Sequence, residues 1–158
     1  PPRSTLFPYT TLFRSGLVIN QNQEVLLSDE YMLDREMTKF PGGGLQFGEG
    51  LHDALKREFR EEANQEIEIM EHFYTTHFFQ AAFHDPNQQV ISVYYQINIV
   101  PPINIKTSVK KFDFPKMING GQSFRWVKIQ DILTENISFP IDRKVAEMLW
   151  KKFQKTKT

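Results

Sequence analysis

Two glutamates stand where a helix should bury its side chains. From Gly50 to Ala63 the apolar residues fall at Leu51, Ala54, Leu55, Phe59 and Ala63, a spacing that predicts an amphipathic helix. With Leu51 at zero and about 100° per residue, Leu55, Phe59 and Ala54 lie near 40°, 80° and 300° and define the buried stripe. On the same wheel Glu58 falls at about 340° and Glu62 at about 20°, inside that stripe, with Glu61 at its edge and Arg57 beside it. A charge in such a place must be paired or neutralised. Asp53, Arg57 and Glu61, spaced i, i+4 and i+8, predict a charge ladder that fixes Glu61. Nothing within the helix serves both Glu58 and Glu62. Clustered carboxylates short of basic partners suit a hard divalent cation, Mg2+ or Mn2+. A solvated acidic face is the alternative that spacing alone leaves open.

The charge balance of the whole chain hides this cluster. Its 158 residues carry 19 basic and 19 acidic side chains. From Lys106 onward, however, twelve Lys/Arg face five Asp/Glu, whereas residues 16–105 hold five against fourteen. With no Cys, disulfides, thiolate metal sites and a Cys nucleophile are excluded. The 14 Phe and 40% hydrophobic residues argue against disorder. No apolar run approaches the ~18 residues of a membrane-spanning helix. The expectation is one cytoplasmic domain with no membrane partner.

Residues 1–15 (PPRSTLFPYTTLFRS) lack both helical and strand periodicity and repeat Thr-Leu-Phe and Arg-Ser. Residues 5–15 look like the in-frame translation of a common DNA-sequencing adapter. Residues 1–15 are therefore expected to be a non-native segment standing in place of the true N-terminus, with the domain at 16–155. Within it, Gly16–Asn20 and Glu24–Ser28 read as a hairpin and polar Asp29–Glu36 as a loop. Phe40-Pro41-Gly42-Gly43-Gly44 breaks regular structure and permits close backbone approach. After the helix, with Asn64 as a left-handed cap, come a β-rich stretch from Ile67 to Phe79 and an Asp85-Pro86-Asn87 turn. A returning strand Val90–Val100, an irregular basic connection over 106–123, a strand Phe124–Ile129 and a helix from about Ile141 to Phe153 complete the chain. Strands with two separated helices predict a compact α/β or α+β domain.

The residues before the helix add a second signal. Gly43, Glu49, Arg57, Glu58, Glu61 and Glu62 occupy the fixed positions of G-x5-E-x7-R-E-U-x-E-E-x-G-U, where U is apolar and Phe59 fills the first U. This resembles the box of the Nudix (MutT-type) hydrolases, and the preceding Pro-Gly-Gly and the Phe124-Arg125-Trp126-Val127 strand also fit. Asn64 replaces the last Gly of the pattern and Gln65 its last apolar residue, the latter expected to cost packing at the helix-to-strand junction. The resemblance implies an α/β/α sandwich around a mixed β-sheet. It implies Mg2+-dependent hydrolysis of a nucleoside diphosphate linked to another moiety: a nucleoside triphosphate, an ADP-ribose-like molecule or a nucleotide sugar. Glu58, Glu61 and Glu62 would hold the metal with a backbone carbonyl near Gly42. Glu58 or Glu61 would orient or deprotonate water, Arg57 would position the carboxylates, and Glu49 would brace the loop to the helix. Glu135, after a late strand, is a candidate for a distant further carboxylate.

Substrate-side signals are thinner. Lys39 and Arg125 are candidates for phosphate contact, against a solvated lysine and an outward strand arginine. Phe78, Phe79, Phe83, Tyr94 and Tyr95 are stacking candidates read mostly as core, and the four His are read as structural. The basic C-terminal part leaves an RNA 5′ end as a less favoured partner, and a homodimer stays open. The rival function is a Nudix-fold module that binds a nucleotide without turnover.

Overall fold

The computed structural model describes residues 10–156. The elements run β1 (Thr10–Val18), β2 (Glu24–Met32), β3 (Arg35–Lys39), β4 (Gly42–Gly44), α1 (Leu51–Ala63), β5 (Ile67–Thr75), β6 (Gln89–Ile99) and β7 (Gly121–Lys128). A 3-10 helix, Ile129–Thr134, and α2 (Pro140–Thr156) follow. The strands form two sheets rather than one: a mixed sheet ordered β4-β1-β6-β5, in which β1 and β6 are parallel, and an antiparallel sheet ordered β3-β2-β7.

Alternation along the strands supplies both helices with a surface. Val18, Leu26, Val93 and Ile97 face α1 and pack against Leu55, Phe59 and Ala63. Their neighbours Leu17, Val25, Leu27 and Tyr94 face the other way and pack against Val145, Leu149 and Phe153 of α2. The result is the expected α/β/α layering. Among the described residues, no helix is long and apolar enough to cross a membrane.

Four local readings change. Residues 10–15, set aside above, form the first part of β1 and pair with Gln89–Tyr94 and with Gly42–Gly44. β1 thus starts by Thr10, because a ladder needs only extended backbone, which a segment of non-native origin supplies as well; residues 1–9 lie outside the described residues. β1 and β2 are not a hairpin. Both edges of β1 are taken, by β4 and β6, so the chain turns at Asn20 and crosses to the other sheet, leaving a single Ile19–Val25 bridge. Asp29–Glu36 is not a loop but the tip of a β2–β3 hairpin. Its two-residue turn, Leu33-Asp34, has φ of 52° and 57°, the backbone of a type I′ turn without its usual Asn-Gly signature. Gly42–Gly44, expected to be irregular, is the short strand β4.

The helix-to-strand junction shows what the two departures from the motif do. Asn64 sits in the left-handed region at φ 49°, ψ 40°. The Asn64 and Gln65 amides donate to the carbonyls of Arg60 and Phe59, a Schellman closure. Gln65 is buried without being apolar. Its Nε2 donates to the carbonyls of Glu66 (2.9 Å) and Val100 (2.8 Å), and its Oε1 accepts from the Asn104 amide (2.7 Å). The expected packing loss is replaced by a clamp that fixes the segment after β6 to the end of α1. Gln65→Leu, which restores an apolar residue, should therefore destabilise by about 1–3 kcal/mol, because it removes the bonds that a buried side chain makes to backbone on both sides of the junction. Urea unfolding checks this; a variant as stable as the parent would show that the clamp carries no weight.

Candidate active site

Close backbone approach builds the floor of the site. Gly16 N donates to the Pro41 carbonyl at 2.8 Å, which pulls the glycine run against β1. Gly42 has φ +149°, and a Cβ there would lie 2.1 Å from the Arg14 carbonyl oxygen. A Cβ on Gly43 would lie 2.9 Å from the Glu58 carboxyl. The two glycines thus let β4 slide between β1 and α1 and leave room for a carboxylate above it.

Arg57 is the hub of the carboxylates. It donates through Nε and Nη2 to Glu49, and through Nη1 to Glu58 (3.1 Å) and Glu61 (3.0 Å). These bonds, that from Glu49 first, hold its pKa above the ordinary arginine value. Asp53, the expected start of the ladder, is not a partner of Arg57: Glu49 meets the guanidinium with both oxygens in a fork a helical Asp53 cannot match. Glu58 lies between Arg57 and Arg14, whose Nη2 donates to it at 3.1 Å and to the Ala54 carbonyl at 2.8 Å. Arg14 is fully buried, and burial lowers its pKa against the pull of Glu58. Among the described residues its Nε and Nη1 find no partner.

Glu62 lies one turn beyond Glu58 and meets the β2–β3–β7 sheet. Its carboxylate accepts from Gln122 Nε2 at 3.0 Å. Although the residue is exposed overall, its carboxyl end is crowded by protein. That desolvation pushes its pKa up to about 7, opposed by Gln122 and Lys39 and reinforced by Glu30 and Glu58. Gln122 also donates to Ser28 Oγ (3.0 Å) and to Glu30 (3.1 Å), which share the α1-facing side of the sheet. Lys39 is not a solvated lysine. Its Nζ donates to the Gly42 carbonyl at 2.8 Å and pairs with Glu30 at 3.1 Å. Burial alone would lower its pKa, but Glu30 and Glu62 raise it above the usual lysine value.

Oxygen donors dominate this corner: Glu58, Glu61, Glu62, Glu30 and the Gly42 carbonyl. That is the chemistry of a hard divalent cation, and an ammonium already rests on the carbonyl. Among the described residues no three carboxylates converge at ligand spacing. Glu58 and Glu61 turn to Arg57, and Glu62 to Gln122. Beside Glu61 and Glu62 opens a cleft of about 490 Å³, lined also by Asn104, Lys106, Ser108 and Gln122.

The structure takes Arg125 and Glu135 elsewhere. Gln122, Phe124 and Trp126 face α1, so Arg125 points to the α2 side, buried rather than outward. It donates to buried Asp29 at 2.6 Å and to Glu135 at 2.7 Å, and Lys111 pairs with Glu135 at 2.7 Å. Both residues belong to a structural ion network behind the sheet. Of the aromatics, Tyr94 and Tyr95 are core, but Phe78, Phe79 and Phe83 are exposed. His52 and His72 stack edge-on against Tyr95, and His77 bonds the Tyr74 hydroxyl. Arg14, Glu30 and Gln122 were missed as site residues. For Glu30 and Gln122 the period-2 alternation was the available signal.

The NUDIX domain family matches residues 13–148. No curated protein matches in sequence. Among solved structures, the Escherichia coli ORF135 protein has a TM-score of 0.67 at 16% identity, with 99% of this chain and 97% of that one covered. The MutT protein from Methanosarcina mazei gives 0.67 at 18% identity, covering 92% and 96%. An ADP-ribose pyrophosphatase from Streptococcus suis gives 0.58 at 15%, covering 96% and 94%. At these identities the likeness establishes the fold.

Arg125→Gln separates the structural role from substrate contact. Leaving Asp29 buried and unpaired should cost about 3–5 kcal/mol, seen in urea unfolding, with KM of the folded enzyme unchanged. A raised KM at unaltered stability would return Arg125 to the substrate.

Proposed function

Since the chain belongs to the NUDIX domain family of pyrophosphohydrolases, we propose that it uses Mg2+ or Mn2+ to hydrolyse the diphosphate of a nucleoside diphosphate linked to another group. The observation that carries this reading is Arg57, which ties Glu58 and Glu61 of α1 to Glu49, with the Glu58 carboxyl set against Gly43 and Glu62 one turn further along the helix. Nothing in mere nucleotide binding requires all three carboxylates.

Glu58, Glu61, Glu62 and the Gly42 carbonyl would hold the cation. When bound, it neutralises diphosphate charge and lowers the pKa of a coordinated water. The chain's own groups do the rest. Glu58, hydrogen-bonded by two guanidinium groups, is held in a fixed position. Glu61 is 58% exposed and paired with Arg57 at its accessible end, so it is better placed to take a proton from water. The water oxygen bonds to one phosphorus, the bridging P–O bond breaks, and the phosphate or nucleoside monophosphate leaves with the bridging oxygen. Lys106, at the cleft wall, offers a positive charge for the departing group. Asn104 and Ser108 offer polar contacts suited to a ribose or other sugar. The fold neighbour named as an ADP-ribose pyrophosphatase supports this class, and triphosphates and nucleotide sugars share its chemistry.

The test is release of phosphate or nucleoside monophosphate from a panel of triphosphates, dinucleotides, nucleotide sugars and 5′-triphosphorylated RNA in Mg2+. A Glu61→Gln, Glu62→Gln double variant should be slower by a factor of about 10²–10⁴. A wild type no faster than the variant on every substrate would leave a binding module without turnover.

A further inference from the structure

Lys39 holds a position that the metal reading assigns to something else. Its backbone is fixed at the end of β3, paired with Ser28. Its side chain is 19% exposed and runs into the corner between the two sheets. There the ammonium sits on the Gly42 carbonyl at 2.8 Å and on Glu30 at 3.1 Å. Glu30 is itself fastened by Ser28 Oγ at 2.9 Å and Gln122 Nε2 at 3.1 Å, and the same Nε2 reaches Glu62 at 3.0 Å. One amide nitrogen therefore joins the carboxylate that anchors the lysine to a carboxylate of α1. An ammonium is a compact charge on a flexible four-carbon stem, so it can leave one set of oxygens for another by rotating its own side chain.

We propose that Lys39 is a tethered counter-cation: it occupies the Gly42 carbonyl while the site is metal-free, competes with the divalent cation for it, and on displacement turns its ammonium to the substrate phosphates. The inference rests on the function proposed above. It makes the appearance of a free phosphate-binding ammonium conditional on metal. Glu30 is the dock that returns the lysine to the carbonyl.

Two measurements on the whole chain test this. First, amine labelling of the wild type with acetic anhydride, read by peptide mass spectrometry, compares Lys39 with and without saturating Mg2+. Labelling of Lys39 should rise severalfold with the metal while that of distant Lys151 stays constant. In a Glu58→Gln, Glu62→Gln variant the rise should vanish. Second, the affinity for Mn2+, read from the EPR signal of the free ion, should increase about tenfold in Lys39→Met and stay near the wild-type value in Lys39→Arg, which keeps the charge. Mn2+ bound to the wild type with Lys39 labelling unchanged or reduced would overturn the proposal and leave the metal reading standing. Equal Mn2+ affinity in the wild type and a folded Lys39→Met would overturn it as well. No Mn2+ binding by the wild type at all would overturn the metal reading itself, and this inference with it.

Discussion

Like charge is the constraint on which the site depends. Glu49, Glu58 and Glu61 meet around a single guanidinium, and Glu30 and Glu62 meet across one amide group. Two unit charges 4 Å apart interact by about 4 kcal/mol at an effective dielectric of 20, so the cluster holds only because cations are built among the acids. Arg57 serves three of them, Arg14 backs Glu58 from beneath, and Lys39 serves Glu30. Local backbone follows from this arrangement. Gly43 must lack a side chain because the Glu58 carboxyl occupies that space, and Gly42 because β1 does. The carboxylates are thus held in place by internal cations.

The two faces of the strands use the same chemical types to opposite ends. On the α1 side, Glu61, Glu62 and Lys106 border a cleft, and of the charged groups around them only Arg14 is fully buried among those named above. On the α2 side, Arg125, Asp29 and Glu135 are buried and satisfy one another, and Thr38 Oγ1 adds a bond to Asp29 at 2.7 Å. Asp142 is also buried there. It accepts from the Tyr94 hydroxyl and the Phe40 amide, with burial pushing its pKa up to about 6. That contact ties α2 to the residue just ahead of Pro41 and steadies the strand that leads into the glycines. A one-residue shift in register would exchange the two faces, so the pairing of β2 with β3 and β7 decides which acids can meet a substrate.

What was legible in the sequence was what needs only local periodicity. Helical spacing put Glu58, Glu61 and Glu62 on one side of α1, and the fixed positions of the box supplied Gly43, Glu49 and Arg57. What was not legible depends on contacts between distant segments. Arg125 meets Asp29 96 residues away, so spacing within its own strand says nothing about that partner. Glu30 was hidden because its charged neighbours disguised a hairpin as a loop. Arg14 was lost with the segment that contains it, although the ladder along β1 makes it the floor beneath Glu58. Gln65 breaks the motif yet fits, because four backbone groups converge on one amide side chain.

We propose that internal cations stand where a divalent metal binds. Anomalous diffraction from crystals grown with Mn2+ tests it most directly. The account predicts a manganese peak bonded by the Gly42 carbonyl together with Glu58 and Glu62, with the Lys39 ammonium withdrawn from that carbonyl. Manganese held only by exposed Glu61, with Lys39 still on the Gly42 carbonyl, would contradict it, as would the absence of any peak beside α1.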